Sequence, residues 1–213
     1  MNVLLTGGTG FIGSHIAKQL SEDGHKVTIM ARNANKIPAL KKLQGIEIIQ
    51  ASLSNFEMVE SLVRGKDAVI HVALDYKDGA VNMLEHDTLG SVHLLEAAAK
   101  AGVEQIIYTS STATCDFIYM TDYGRQSMAG KTIDEEFKPR PASFYGATKA
   151  ATEMYAMALS HEYKIRVNII RPGYIFGNPA LEGAPTQPDS RFKDYVTKIK
   201  NNETVSVSHN DGT

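Results

Sequence analysis
The stretch TGGTGFIGSHIAKQL, Thr6 to Leu20, carries three glycines, Gly7, Gly10 and Gly13, and an apolar face of helical spacing at Phe11, Ile12, Ile16 and Leu20. It is entered directly from an apolar run of strand length, Val3–Thr6. Where a strand feeds a helix, each glycine has a physical use. Gly7 permits the tight turn, Gly10 lets a pyrophosphate approach the backbone, and Gly13 lets helix and strand pack closely. The start of the helix then offers unpaired N–H groups and a positive dipole end to phosphate. A tight turn with no ligand is the plain alternative. The position of this turn, at the first strand–helix junction of an alternating chain, points instead to a dinucleotide.

Working outward, runs of strand length recur at Val27–Ala31, Ile46–Gln50, Ala68–Ala73, Gln105–Ser110 and Arg166–Arg171. Helical spacing fills the intervals at Phe11–Glu22, Asn35–Leu43, Asn55–Val63, Ala80–Ala101 and Ser143–Tyr163. Nearly continuous apolar strands have no polar face to turn to water, so the alternation predicts an α/β fold with a parallel sheet covered by helices on both faces. Right-handed crossovers make a doubly wound, Rossmann-type sheet the economical topology. Asp116–Ala142 reads as a long irregular connection, the kind of loop that tends to be functional.

Composition narrows the partners. The chain has 213 residues, 43% hydrophobic and 22% charged, enough apolar material for one sizeable core. A formal net charge of -2 with no basic block leaves no electrostatic footprint for nucleic acid or an anionic membrane, and small molecules are the expected partners. The single cysteine, Cys115, suits a reducing compartment. None of the seven histidines has metal-site spacing, so each is read as structural or surface and no metal is expected. MNVLLTGG is too short in its apolar run for a signal peptide, and no stretch approaches a membrane span. A cytoplasmic protein is expected.

An acid usually stands at the end of the second strand when the unphosphorylated dinucleotide is chosen, because it accepts from the ribose hydroxyls. Here the sequence is VTIMARNANK, with Ala31 in that place, Arg32 after it and Lys36 within a helical turn. A guanidinium binds a 2′-phosphate that a carboxylate would repel, so NADP is expected ahead of NAD. A solvated surface arginine is the alternative.

Two further stretches belong together. QIIYTSSTATCD ends a buried strand in hydroxyl side chains, and FYGATK places Tyr145 and Lys149 on one face of the next helix. With TGGTGFIG, AVIHVA, GSVHLLEAAAKAGVEQIIYTSS, DEEFKPRPASFYGATK and RPGYIFG in that order, the sequence resembles the extended short-chain dehydrogenase/reductase superfamily, the NAD(P)-dependent epimerase/dehydratase type. The resemblance covers Asn2 to about Gly177.

That resemblance implies Tyr145 as acid/base, Lys149 as the group that lowers its pKa and holds the nicotinamide ribose, and Ser111, ahead of Ser110, as the serine bonded to the reacting oxygen. It implies cofactor contacts from Gly7, Gly10, Phe11, Ile12, Gly13, Arg32, Ser52, Leu53, Ala73, Tyr145, Lys149, Pro172 and Gly173. The expected activity is hydride transfer between nicotinamide and a carbonyl or secondary alcohol, with a nucleotide sugar among the possible substrates. Two positions depart from the family's usual residues: Ser52 stands in place of an aspartate, and Asp87 in place of an asparagine. In the family, the carboxyl-terminal part commonly runs on and supplies most of the substrate pocket. The expected organisation is therefore a cofactor domain over residues 1–177 and a partial substrate region over 178–213. A truncated, non-catalytic NADP(H)-binding module or redox-sensing regulator is the alternative. The resemblance also implies a homodimer through Ala80–Ala101 and Ser143–Tyr163.

Overall fold
The computed structural model describes residues 1–186 and 191–206, with residues 191–193 described in their backbone alone. Six strands form one sheet: β1 (Asn2–Thr6), β2 (Lys26–Ala31), β3 (Ile46–Gln50), β4 (Ala68–His71), β5 (Gln105–Thr109) and β6 (Arg166–Ile170). Every neighbouring pair is parallel, and the order across the sheet is β3-β2-β1-β4-β5-β6. The order reverses between β1 and β4, and in an open parallel sheet the crevice beyond the strand ends at that point is where ligands bind.

The helices follow from the same alternation. They are α1 (Phe11–Glu22), α2 (Phe56–Val63), α3 (Ala80–Met83), α4 (Leu89–Lys100), α5 (Phe117–Met120), α6 (Asp122–Met128), α7 (Phe144–Tyr163) and α8 (Arg191–Lys200). Successive strand residues point to opposite faces, so one sheet divides its apolar side chains between two cores. Leu4, Val69 and Ile106 pack against Val59 of α2, Leu94 and Leu95 of α4, and Ala156 of α7. Val3, Leu5, Ile29 and Ile70 pack on the other face with Ala17 of α1 and with Ile37 and Leu40. Helix α7 starts where the Ser143 hydroxyl accepts from the Gly146 N–H at 3.0 Å, and stops where Lys164 turns left-handed at φ 57°.

Three elements differ from the sequence expectation. Asn35–Leu43 is not an α-helix: only Pro38–Lys42 forms a 3₁₀ turn, because Pro38 holds the preceding Ile37 in extended backbone at φ -130°. The spacing of Ile37 and Leu40 serves core burial through that single turn, and both are fully buried. The helical stretch Ala80–Ala101 is interrupted by a π turn, Leu84–Thr88, whose wider path carries Asp87 and Thr88 into the interior. Asp116–Ala142 holds α5 and α6, which meet at a corner where a Cβ on Gly124 would lie 2.0 Å from the Phe117 carbonyl oxygen.

After β6 the chain returns across the carboxyl edge of the sheet. Leu181 and Ala184 pack against the α1-side core, and the His15 ring Nε2 lies 3.0 Å from the Asn178 carbonyl oxygen. Residues 203–206 carry no strand; 187–190 and 207–213 lie outside the described residues.

Candidate active site
Gly7 has φ +74°, and a Cβ there would lie 2.6 Å from the Ala73 nitrogen. A Cβ on Gly13 would lie 2.1 Å from the Gly7 carbonyl oxygen. The fold itself demands both glycines. Gly10 differs: its backbone is extended at φ -92° and ψ 179°, open to any residue, and a Cβ would meet only the Gly7 oxygen, at 3.1 Å. Gly10 is also the N-cap of α1, and no side chain caps it. The first-turn amides are therefore left without a side-chain acceptor, as an anion-binding helix start requires.

Beside this turn lies a cavity of about 400 Å³, within the range of small-molecule sites. Gly7, Gly10, Phe11, Ile12 and Gly13 form its floor; Arg32 and Lys36 stand on one side. Ser52, Leu53 and Ala73 line it too, and Pro185 and Thr186 of the returning segment add to its wall. Size, glycine floor and open amides suit a dinucleotide. Arg32 is not free in this groove: its Nη1 lies 2.7 Å from Oδ1 of Asp75, a groove residue the sequence reading did not pick out. Thr6 was also missed. Its buried hydroxyl lies 2.6 Å from His71 Nδ1 and accepts from the Val72 and Ala73 N–H groups at 3.3 Å, which fixes the β4 end against the glycine turn.

A second cluster occupies the same sheet edge beyond β5. Ser111 caps the 3₁₀ turn Thr112–Cys115, its hydroxyl accepting from the Ala113 N–H at 3.1 Å. Helix α7 lies hard against this turn, since a Cβ on Gly146 would come within 2.1 Å of the Ala113 oxygen. Asp116 secures the helix start by accepting from the Ala142 N–H at 2.5 Å and from the Ser143 hydroxyl. These contacts bring Tyr145 to Ser111. Burial pushes the Tyr145 phenol up, the Ser111 hydroxyl opposes the rise, and the Asp87 charge adds to it. The net direction is opposite to the lowering expected from Lys149. Burial dominates, and Lys149 is engaged elsewhere: its amino group donates to the Thr109 carbonyl at 3.5 Å and sits 5.2 Å from the centre of the Tyr108 ring. Lys149 is itself buried, which pushes its pKa down, while Asp87 works upward.

Buried polar groups support this cluster from beneath. Asp87 accepts from the Asp75 N–H at 3.0 Å, and its Oδ2 has no hydrogen-bond partner among the described residues. Burial raises its pKa and Lys149 lowers it. His71 links Thr6 to the Ser91 hydroxyl, 2.9 Å from its Nε2; burial first, and Lys149 second, depress it to about 3, so the ring is neutral. Ser110 donates to Glu153 at 2.5 Å. Glu153 holds Arg171 through two bonds of 2.9 and 2.7 Å, and Arg171 donates to the Phe137 carbonyl at 2.9 Å. Pro172 accepts from the Thr112 N–H at 3.1 Å; Gly173 is exposed and touches no side of the cavity.

The NAD dependent epimerase/dehydratase family matches residues 3–213. The chain belongs to this family. Among curated relatives, it is 29% identical over 185 residues to a 3 beta-hydroxysteroid dehydrogenase/Delta 5-->4-isomerase of Mycobacterium tuberculosis, covering 83% of this chain and 47% of that one. It is 30% identical over 194 residues to an anthocyanidin reductase of Arabidopsis thaliana, covering 84% and 57%. The chain thus spans about half the length of these relatives. Among solved structures, the UDP-glucuronic acid 4-epimerase of Bacillus cereus, in complex with UDP-glucuronic acid and NAD, superposes with a TM-score of 0.75 at 20% identity, over 97% of this chain and 65% of that one. That likeness is one of fold. Among the described residues no helix is long and apolar enough to cross a membrane.

Proposed function
We propose that this chain carries the cofactor-binding and catalytic part of an NAD(P)-dependent oxidoreductase, epimerase or dehydratase acting on a small molecule with a carbonyl or secondary alcohol. The observation that carries the reading is that two sites lie on one sheet edge: the glycine-floored groove after β1, and the residues Ser111, Tyr145 and Lys149 after β5. Residues 1–177 form the cofactor domain and 178–213 contribute to the substrate side.

A bound nicotinamide dinucleotide supplies the acceptor or donor of hydride. The open amides at the start of α1 hold its pyrophosphate, Ser52 and Leu53 border its adenine, and Ala73 lies along its length; Pro172 and Gly173, outside the cavity wall, would meet only its nicotinamide end. Arg32 and Lys36 favour the 2′-phosphate of NADP. Tyr145 moves the proton at the substrate oxygen while Ser111 orients that oxygen. Lys149 holds the ribose and, in its protonated form drawn from Thr109 toward Tyr145, favours the phenolate.

Replacing Tyr145 with Phe is expected to lower turnover of a carbonyl panel by at least about a hundredfold, with NADP affinity unchanged. Undiminished turnover would sink the acid/base role. One observation favours the alternative, a binding module without turnover: the upward shift of the Tyr145 phenol. That module would bind NADP and turn over nothing on the same panel.

The outer face of α7 exposes Met154, Tyr155 and Met157, and Leu89 at the start of α4 is exposed as well. A homodimer through these helices would cover them; sedimentation equilibrium of the wild type and of Met157→Glu tests it, with dimer expected for the first and monomer for the second. The single cysteine, Cys115, is buried and free, in keeping with a cytoplasmic home.

A further inference from the structure
We propose that Asp75 is a specificity-determining residue of the groove: it holds Arg32 as an ionic latch across the groove, and a 2′-phosphate must displace it to bind. This rests on the dinucleotide reading above. Arg32 leaves the carboxyl end of β2, Asp75 lies beyond the end of β4, and β1 runs between those strands. Both residues line the cavity, and their side chains meet at 2.7 Å. The pair therefore joins two lining residues, one beyond β2 and one beyond β4, across the end of β1.

The two ends of the latch differ in mobility. The Arg32 side chain is 65% exposed and that of Asp75 only 25%. The main-chain N–H of Asp75 is bound to the buried Asp87 carboxylate, so the acid is anchored while the guanidinium is free to swing. The other charges on this rim are Lys36, which lines the cavity, and Lys77, whose Nζ is 3.8 Å from Asp75 Oδ1. Asp75 thus pairs with two cations, Arg32 and Lys77, on a rim that also carries Lys36.

The usual selecting acid sits at the end of the second strand, where Ala31 stands here. In this chain the acid comes from the far side of β1 and acts through Arg32. An unphosphorylated ribose leaves the latch closed. A 2′-phosphate exchanges the carboxylate on Arg32 for a dianion, with charge-assisted hydrogen bonds to the same fork.

The test is calorimetric titration of the whole chain with adenosine 2′,5′-bisphosphate and with ADP, using wild type, Asp75→Asn, Arg32→Ala and the double variant, each checked by thermal melting. Asp75→Asn is expected to tighten the bisphosphate about fivefold, the scale of one exposed ion pair, and to leave ADP within twofold. The gain should vanish when Arg32 is Ala. An equal change for both probes, no change, or a gain that survives loss of Arg32 would overturn the latch alone. Failure of the wild type to bind either probe would overturn the dinucleotide reading and the latch with it.

Discussion

The carboxyl edge of this sheet is built in two ways. Beyond β1, β2 and β3 the groove is shaped by backbone: a glycine turn, open helix amides, and charges such as Arg32 that stand in solvent. Beyond β4, β5 and β6 the site is shaped by buried polar side chains, among them His71, Asp87, Lys149 and Glu153, each at most 2% exposed. Polar groups open to solvent find partners in water, whereas buried polar side chains are stable only when nearly every one is satisfied within the protein. The first half should therefore tolerate loss of its side chains, and the second should not.

Removing Glu153 should break the contrast most visibly. Glu153→Ala strands Arg171 and the Ser110 hydroxyl, and urea unfolding should record a loss of about 3 kcal/mol, the lower end for a buried pair because Arg171 keeps some exposure. A loss below ~1 kcal/mol would mean the network is ornamental.

His71 gives the next effect, through pH. Its folded pKa of about 3 lies below the ordinary 6.5, so the unfolded chain takes up its proton first. The stability gained by keeping the ring neutral is complete above pH 6.5 and is lost as pH falls toward 3, amounting to about 2 kcal/mol by pH 5. Asp87, with its pKa raised, works in the opposite sense, but equally in wild type and variant. His71→Gln should flatten the acid limb relative to wild type; parallel limbs would place the ring's proton elsewhere. The smallest effect belongs to the backbone-built half: Arg32→Ala should alter stability by less than ~1 kcal/mol.

This division also explains what the sequence made legible. Gly7, Gly10 and Gly13 announce the groove because backbone geometry leaves a fixed spacing in the chain. The parallel, doubly wound sheet follows from apolar strands separated by helices, whereas the strand order is seen only in the fold. The Tyr145–Lys149 pair is visible as a helical spacing, and Gly146 beside it was there to be noticed as the residue that admits the Ala113 carbonyl. What stayed hidden depends on tertiary approach. Asp75 meets Arg32 across 43 residues, Asp116 reaches Ser143 across 27, and Ser110 reaches Glu153 across 43, with no local pattern to mark them. The helical spacing of Asn35–Leu43 misled for a related reason: Ile37 and Leu40 are called into the core by the sheet, and Pro38 keeps Ile37 out of helical backbone, so no helix can begin before it.

Gly10 gives the central claim its most direct test, because its extended backbone suits any residue and an added Cβ would crowd the Gly7 oxygen alone, at 3.1 Å. Calorimetric titration with NADP of the wild-type chain and of Gly10→Ala, at matched melting temperature, reads the ligand alone. One site per chain in the wild type, weakened at least about tenfold by the added methyl group, is the predicted result. No binding by the wild type, or equal binding by both proteins, would contradict the account.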